Sequence, residues 1–138
     1  TPNKKEAGAA AGIEIETESD IVAAGRKILR SVSVDSLLIT CGKDGMVLFE
    51  RDKKPHKISA EARQVFDVSG AGDTVLAVLG LALASGATLK QGAALANTAA
   101  GIVVGKVGTA TVSAQELNAA LNPDQDPAAL KQINFSEL

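Results

Sequence analysis

The chain has 138 residues, of which 46% are hydrophobic, and its formal net charge is −2, with 14 Lys and Arg against 16 Asp and Glu. These values predict a soluble globular protein built around one core. The balanced charge, and three Phe without any Trp or Tyr, argue against binding to nucleic acid. Cys41 is the only cysteine, which excludes an intrachain disulfide and suits a reducing compartment. The uncharged run from Thr74 to Leu89 is too short for a membrane span.

The first half of the sequence predicts two helices followed by three strands. The first helix should be closed by Gly12, and Thr17 or Ser19 could cap the start of the second. A glycine-containing turn should join the first two strands, and the third should lie at a sheet edge. The predicted elements are helices at Asn3 to Ala11 and about Glu18 to Val32, and strands at Ser36–Thr40, Met46–Glu50 and His56–Ala60.

The second half predicts a short apolar strand from Gln64 to Asp67, a glycine turn, and then three helices. Two of these helices are apolar nearly all round, so we expect both to be buried against a sheet and against each other. The third begins at a capping-box pattern, Ser113 to Glu116. The predicted helices run over roughly Ala71 to Ser85, Leu89 to Val104, and Ser113 to Leu121, and residues 122–138 are predicted to be a linker or tail.

The glycine turn from Asp67 to Thr74 carries the strongest chemical signal. Gly70 and Gly72 permit backbone conformations in which the N–H groups of Ala71, Gly72 and Asp73 can point at an anion at the start of a helix. Asp73 adds a carboxylate where the helix dipole stabilises negative charge. We expect Asp73 to accept the proton of an attacking alcohol while the amides stabilise a phosphoryl group in transfer.

Two other phosphate motifs are excluded by spacing. A dinucleotide-binding fingerprint would need Gly or Ala where Val75 stands, and Gly105-Lys106 lacks the Ser or Thr and the upstream glycine of a Walker A loop. By itself the Gly-Ala-Gly-Asp sequence is a weak signal that also occurs in ordinary strand-to-helix turns.

With its neighbours, the stretch Asp67 to Asp73 resembles the C-terminal signature of the ribokinase-like, or PfkB-family, sugar kinases. The resemblance covers the chain to about residue 121 and implies an α/β fold, the C-terminal portion of a three-layer α/β/α domain whose N-terminal strands and lid are absent. It implies Asp73 as catalytic base and an anion hole at Gly70, Ala71 and Gly72. It also implies nucleotide contacts at Thr40, Gly42, Gly45, Asn97 and Gly101, a magnesium and phosphate element at Asn3 and Glu6, and a monovalent-cation site at Asp67, Ser69 and Gly108.

The segment from Asn97 to Ser113 most resembles the heptose 7-phosphate kinases of lipopolysaccharide-core synthesis, which are often fused to an adenylyltransferase. This resemblance implies ATP-dependent phosphorylation of a sugar phosphate at the anomeric hydroxyl. ATP, Mg²⁺ and K⁺ are the implied cofactors. It further implies a cytoplasmic protein, without nucleic-acid or membrane partners, that is a homo-oligomer at full length. Because the family's N-terminal half does not precede Thr1, we expect the isolated fragment to be inactive and its exposed faces to favour self-association.

Structural alternatives stay open at this point. Asn3 could be only a helix cap, Glu6 a solvated acid, Gly42 and Gly45 a hairpin turn, and Asn97 a satisfied core amide. Lys43 could belong to a solvated face or reach a nucleotide phosphate. Another sugar or nucleoside kinase, a non-catalytic nucleotide-binding module and a structural remnant are the competing functions.

Overall fold

A computed structural model describes residues 1–61 and 64–123. The predicted linker therefore lies almost wholly outside the described residues. Five α-helices and three strands are present in the described part, in the predicted order except that the strand predicted over Gln64 to Asp67 is missing. They are α1 (Lys4–Ala11), α2 (Glu18–Ser31), β1 (Ser36–Thr40), β2 (Met46–Glu50), β3 (His56–Ile58), α3 (Ala71–Ala84), α4 (Leu89–Val104) and α5 (Ala114–Leu121).

The three strands form an antiparallel sheet in the order β1-β2-β3. Leu38 of β1 pairs with Leu48 of β2, which pairs in turn with His56 of β3. Because successive side chains point to opposite faces of a strand, both faces of β1 and β2 carry apolar residues, as the unbroken apolar sequence of β1 predicts.

A core lies on each face of this sheet. On one face, Ile39 and Phe49 pack with residues of α1 and α2, and Cys41 is buried there, which raises the pKa of its thiol. On the other face, Leu38 and Leu48 pack with residues of α3 and α4. The described residues thus form three layers, helix on sheet on helix, and confirm the predicted α/β class.

Four helices begin with a capping box, in which the side chain of the N-cap residue accepts a hydrogen bond from the backbone N–H three residues on, and the side chain of that residue accepts one from the N-cap N–H. This arrangement satisfies N–H groups that have no partner inside the helix. The boxes are Asn3 with Glu6 (α1), Thr17 with Asp20 (α2), Thr88 with Gln91 (α4) and Ser113 with Glu116 (α5). The sequence identified the cap of α5, and of its two candidates for α2 the structure selects Thr17.

The strand predicted over Gln64 to Asp67 is wrong. The N–H groups of Phe66 and Asp67 both donate to the carbonyl oxygen of Val104 at the end of α4, at 2.8 and 3.3 Å. A single carbonyl that accepts both bonds cannot supply the alternating partners of a strand ladder. The segment is therefore an irregular connection attached to α4.

The expected burial of α3 is only half right. Val75 and Leu79 pack with residues of α4 and the sheet and Ala82 is also buried, whereas Leu76 and Leu81 are 57% and 70% exposed. Within the described ranges no element covers that second apolar face. Among those same residues, no helix combines the length and apolar character required to cross a bilayer.

Candidate functional site

The start of α3 differs from the other α-helix starts in the described residues because no side chain caps it. Gly70 is its N-cap residue and adopts a left-handed conformation, with φ 77° and ψ 0°. This conformation is readily available to glycine and costly for residues with a Cβ. Asp73 lies in the first turn and is exposed.

Two backbone amides at this helix start are available to a ligand, rather than the three expected. The N–H of Ala71 donates to the Val68 carbonyl at 3.2 Å, and the N–H of Thr74 donates to the Gly70 carbonyl at 3.0 Å. Among the described residues, the N–H groups of Gly72 and Asp73 find no acceptor. Such unpaired amides, together with the helix dipole, favour an anion at this point.

Asp67, Ser69 and Gly108 lie together beside this turn. The carboxylate of Asp67 accepts a hydrogen bond from the Ser69 N–H at 2.8 Å. Hydrogen bonds from the Ser69 side chain and N–H, and a further one from the Gly108 backbone, hold the pKa of Asp67 below its usual value. The structure therefore brings together the three residues predicted for a monovalent-cation site and keeps the carboxylate charged.

A cavity of about 490 Å³ lies between the sheet, α4 and the start of α3. It gathers eight of the fourteen predicted site residues from distant parts of the chain. These eight are Asn3, Thr40, Gly42, Gly45, Ala71, Gly72, Asn97 and Gly101. The cavity is not lined by the other six predicted site residues, which are Glu6, Asp67, Ser69, Gly70, Asp73 and Gly108. Gly70 and Asp73 are, however, the sequence neighbours of the lining residues Ala71 and Gly72.

The turn between β1 and β2 is both a hairpin and a wall of this cavity. The Cys41 N–H donates to the Gly45 carbonyl at 2.7 Å, and the Gly45 N–H donates to the Gly42 carbonyl at 3.1 Å. Gly45 has φ 87° and ψ −131°, and a Cβ on it would overlap the Ile58 carbonyl oxygen. A glycine at this position therefore allows β3 and its following loop to approach the turn.

Asn97 is a satisfied core amide that also faces the cavity. It is 4% exposed, and its Nδ2 donates to the Ser59 carbonyl at 2.8 Å. Its amide therefore holds the loop after β3 against α4. The prediction that Asn97 is a satisfied core amide is confirmed, and the residue also lines the cavity.

Asn3 and Glu6 bond each other as the capping box of α1. Asn3 Oδ1 accepts from the Glu6 N–H, and Glu6 Oε2 accepts from the Asn3 N–H, both at 2.9 Å. In the part of the chain that the structure describes, no three acidic, histidine or cysteine side chains cluster as a metal site. These residues fit Mg²⁺ only in the manner that the ion commonly adopts with nucleotides, retaining waters and phosphate oxygens as most of its ligands.

Several cavity residues carried no signal in the sequence, above all Glu61. It follows β3 in a loop without periodicity, and its carboxylate meets Thr98 only because α4 packs against that loop. Met46, predicted to fill space in a strand, is buried and also lines the cavity. Lys43, for which the sequence left two roles open, reaches the cavity wall.

The fold and the sequence both match known proteins. A ribokinase from Arabidopsis thaliana, solved with ribose and ATP, superimposes with a TM-score of 0.81 at 29% identity over 87% of this chain and 39% of that chain. Phosphofructokinase-2 from Escherichia coli, solved with potassium, gives 0.78 at 21% identity over 86% of this chain and 38% of that one, which shows the fold alone. The chain therefore has a ribokinase-like fold.

Relatives at higher identity are bifunctional HldE proteins. The one from Desulfatibacillum aliphaticivorans is 60% identical over 121 residues, 88% of this chain and 25% of that protein. The one from Geobacter metallireducens is 55% identical over 138 residues, 100% of this chain and 28% of that protein. The chain thus spans about a quarter of the length of these relatives. A family model for pfkB family carbohydrate kinases matches residues 1–116, so the chain belongs to the pfkB family of carbohydrate kinases.

Proposed function

We propose that the chain is the nucleotide-binding and catalytic part, the C-terminal half, of an ATP-dependent carbohydrate kinase domain. The observation that carries the proposal is the cavity beside the uncapped start of α3, which is lined together by Gly72, the turn from Gly42 to Gly45 and the buried Asn97. A concave site with free amides and a neighbouring carboxylate suits phosphoryl transfer, which depends on positioning and charge stabilisation more than on covalent chemistry.

In this proposal Asp73 is the catalytic base. It is exposed, and within the described ranges no cation forms a salt bridge with it. Its carboxylate takes the proton as the O–H bond of the acceptor breaks, and the hydroxyl oxygen forms a bond to the γ-phosphorus. The bond between that phosphorus and the β–γ bridging oxygen breaks and ADP leaves. The amides of Gly72 and Asp73 hold the charge on the transferring group.

The metal roles follow the same residues. Asn3 and Glu6 would hold Mg²⁺ through its waters, and when bound the ion would neutralise charge on the nucleotide phosphates. Asp67, Ser69 and Gly108 would hold K⁺ beside the turn. The pKa of Asp67 lies below its usual value, so the carboxylate stays charged for this purpose at neutral pH.

For the acceptor we infer heptose 7-phosphate, phosphorylated at its anomeric hydroxyl in the synthesis of ADP-heptose for the lipopolysaccharide core. Identities of 60% and 55% to the HldE proteins support this substrate over other sugars. We infer in addition that the complete protein is cytoplasmic and homo-oligomeric. Another ribokinase-like sugar or nucleoside kinase is the alternative.

Asp73→Asn tests the proposal in the product of the complete gene. The amide cannot accept the proton, so kcat should fall by roughly 10²- to 10⁴-fold while nucleotide affinity changes little. Asp35→Asn is the matched control, because Asp35 is exposed and does not line the cavity. Full activity in Asp73→Asn would show that Asp73 is not the catalytic base. Nucleotide binding without ADP release on any of a panel of sugar phosphates, in the unsubstituted protein, would instead favour a non-catalytic binding module.

A further inference from the structure

The loop after β3, Ser59 to Glu61, is fixed in place on two sides. Asn97 Nδ2 donates to the Ser59 carbonyl at 2.8 Å, which attaches the loop to α4. Gly45 approaches it from the other side so closely that a Cβ there would lie 2.7 Å from the Ala60 nitrogen. A loop held in this way can present a side chain to the cavity at a defined position.

The side chain that this loop presents is the carboxylate of Glu61. Oγ1 of Thr98, a residue only 6% exposed, donates to Glu61 Oε2 at 2.9 Å. An ionised carboxylate offers about four lone-pair positions, and Thr98 uses one of them. The hydroxyl therefore orients the carboxylate without exhausting its capacity to accept hydrogen bonds from a ligand.

The surroundings indicate which part of a nucleotide this carboxylate would meet. Among the described residues that line the cavity, Glu61 is the only acidic residue and Lys43 the only basic one. The other lining residues include small or apolar ones such as Ala60, Ala100, Gly101 and Val104, which suit a flat ring. The fixed negative charge of Glu61 repels phosphates, whereas the amides at the start of α3 attract them. The nucleobase is therefore the part of the nucleotide that suits Glu61.

We propose that Glu61 is a specificity residue that accepts a hydrogen bond from the 6-amino group of adenine. This inference rests on the proposed function. A carboxylate is only an acceptor, so it favours a purine that presents an amine at this edge over one that does not. Thr98 is a positioning residue that acts through Glu61.

The test compares ATP with the triphosphate of purine riboside, which has hydrogen in place of the 6-amino group. Dissociation constants are measured by calorimetry on the product of the complete gene, for the unsubstituted protein, Glu61→Ala and Thr98→Val. We expect the unsubstituted protein to prefer ATP by about tenfold, the usual effect of one hydrogen bond to a charged group. In Glu61→Ala the ratio of the two dissociation constants should fall to about 1, so that the preference for ATP is lost. In Thr98→Val the ratio should take an intermediate value.

This design separates a contact to the base from a merely structural role. In Glu61→Ala the single proton of the Thr98 hydroxyl can be donated to the Ala94 carbonyl oxygen, 3.2 Å away, so affinity for the purine riboside triphosphate should change less than about twofold. Glu14→Gln, a change to an exposed acid that does not line the cavity, should keep the full preference. An unchanged ratio in Glu61→Ala would overturn this inference alone, whereas failure of the unsubstituted protein to bind either triphosphate would overturn the proposed function with it.

Discussion

Replacing Gly45 by alanine should lower the free energy of unfolding more than a glycine-to-alanine substitution elsewhere in the β1–β2 turn. The residue has φ 87° and ψ −131°, a conformation that L-residues rarely adopt and that costs about 1–3 kcal/mol. Its added Cβ would overlap the Ile58 carbonyl oxygen and lie 2.7 and 2.9 Å from backbone atoms of Ala60 and Ser59. Backbone cannot rotate away as a flexible side chain can, so overpacking adds about 1–3 kcal/mol.

The expected total is about 4 kcal/mol, a large share of the roughly 5–15 kcal/mol that stabilises a typical domain. Urea unfolding of the 138-residue chain, followed by far-UV circular dichroism, measures it as a fall in the midpoint at constant slope.

Gly42→Ala is the matched control within the same turn. Gly42 also has a positive φ, 58°, but a Cβ on it meets no atom within 4 Å. Only the left-handed backbone penalty of about 1 kcal/mol should remain. The steric reasoning would be refuted if Gly45→Ala lost no more stability than Gly42→Ala.

Two further predictions concern charge and surface. The side-chain hydrogen bond from Lys106, followed by hydrogen bonds from Ser113, lowers the pKa of Glu116 from 4.5 to about 2. A lowered folded-state pKa contributes stability above the unfolded value and loses it as pH falls from about 4.5 toward 2. The difference in unfolding free energy between the unsubstituted chain and Glu116→Gln should therefore shrink over that window in urea titrations, and a constant difference would contradict the assignment. Leu76 and Leu81, 57% and 70% exposed on α3, should promote self-association of the chain. Serine at both positions should lower the mass measured by light scattering with little loss of stability, and a monodisperse monomer of the unsubstituted chain at high concentration would count against the prediction.

The apolar exposure of α3 shows where composition misleads. Its sequence, AGDTVLAVLGLALA, predicts burial all round, yet only one face is buried in the described part of the chain. An apolar sequence indicates that a helix face favours burial, but the face is buried only where another helix or strand packs against it. The strand expected before Asp67 was wrong for a related reason, because the end of α4 accepts both of the backbone bonds that a strand partner would need.

Local sequence determined the five α-helices, strands β1 to β3 and the capping box that starts α5, because capping, periodicity and glycine conformation act over a few neighbouring residues. It also determined the Gly-Ala-Gly-Asp turn and its family resemblance. Only the tertiary structure decided that Ala71 uses its amide on Val68, that Asn97 holds the loop after β3, and that Thr98 orients Glu61 in the cavity. The Asn97 and Thr98 contacts join residues 38 and 37 positions apart, and their partners are fixed by how α4 packs on the sheet and on the loop after β3 rather than by any neighbouring residue in sequence.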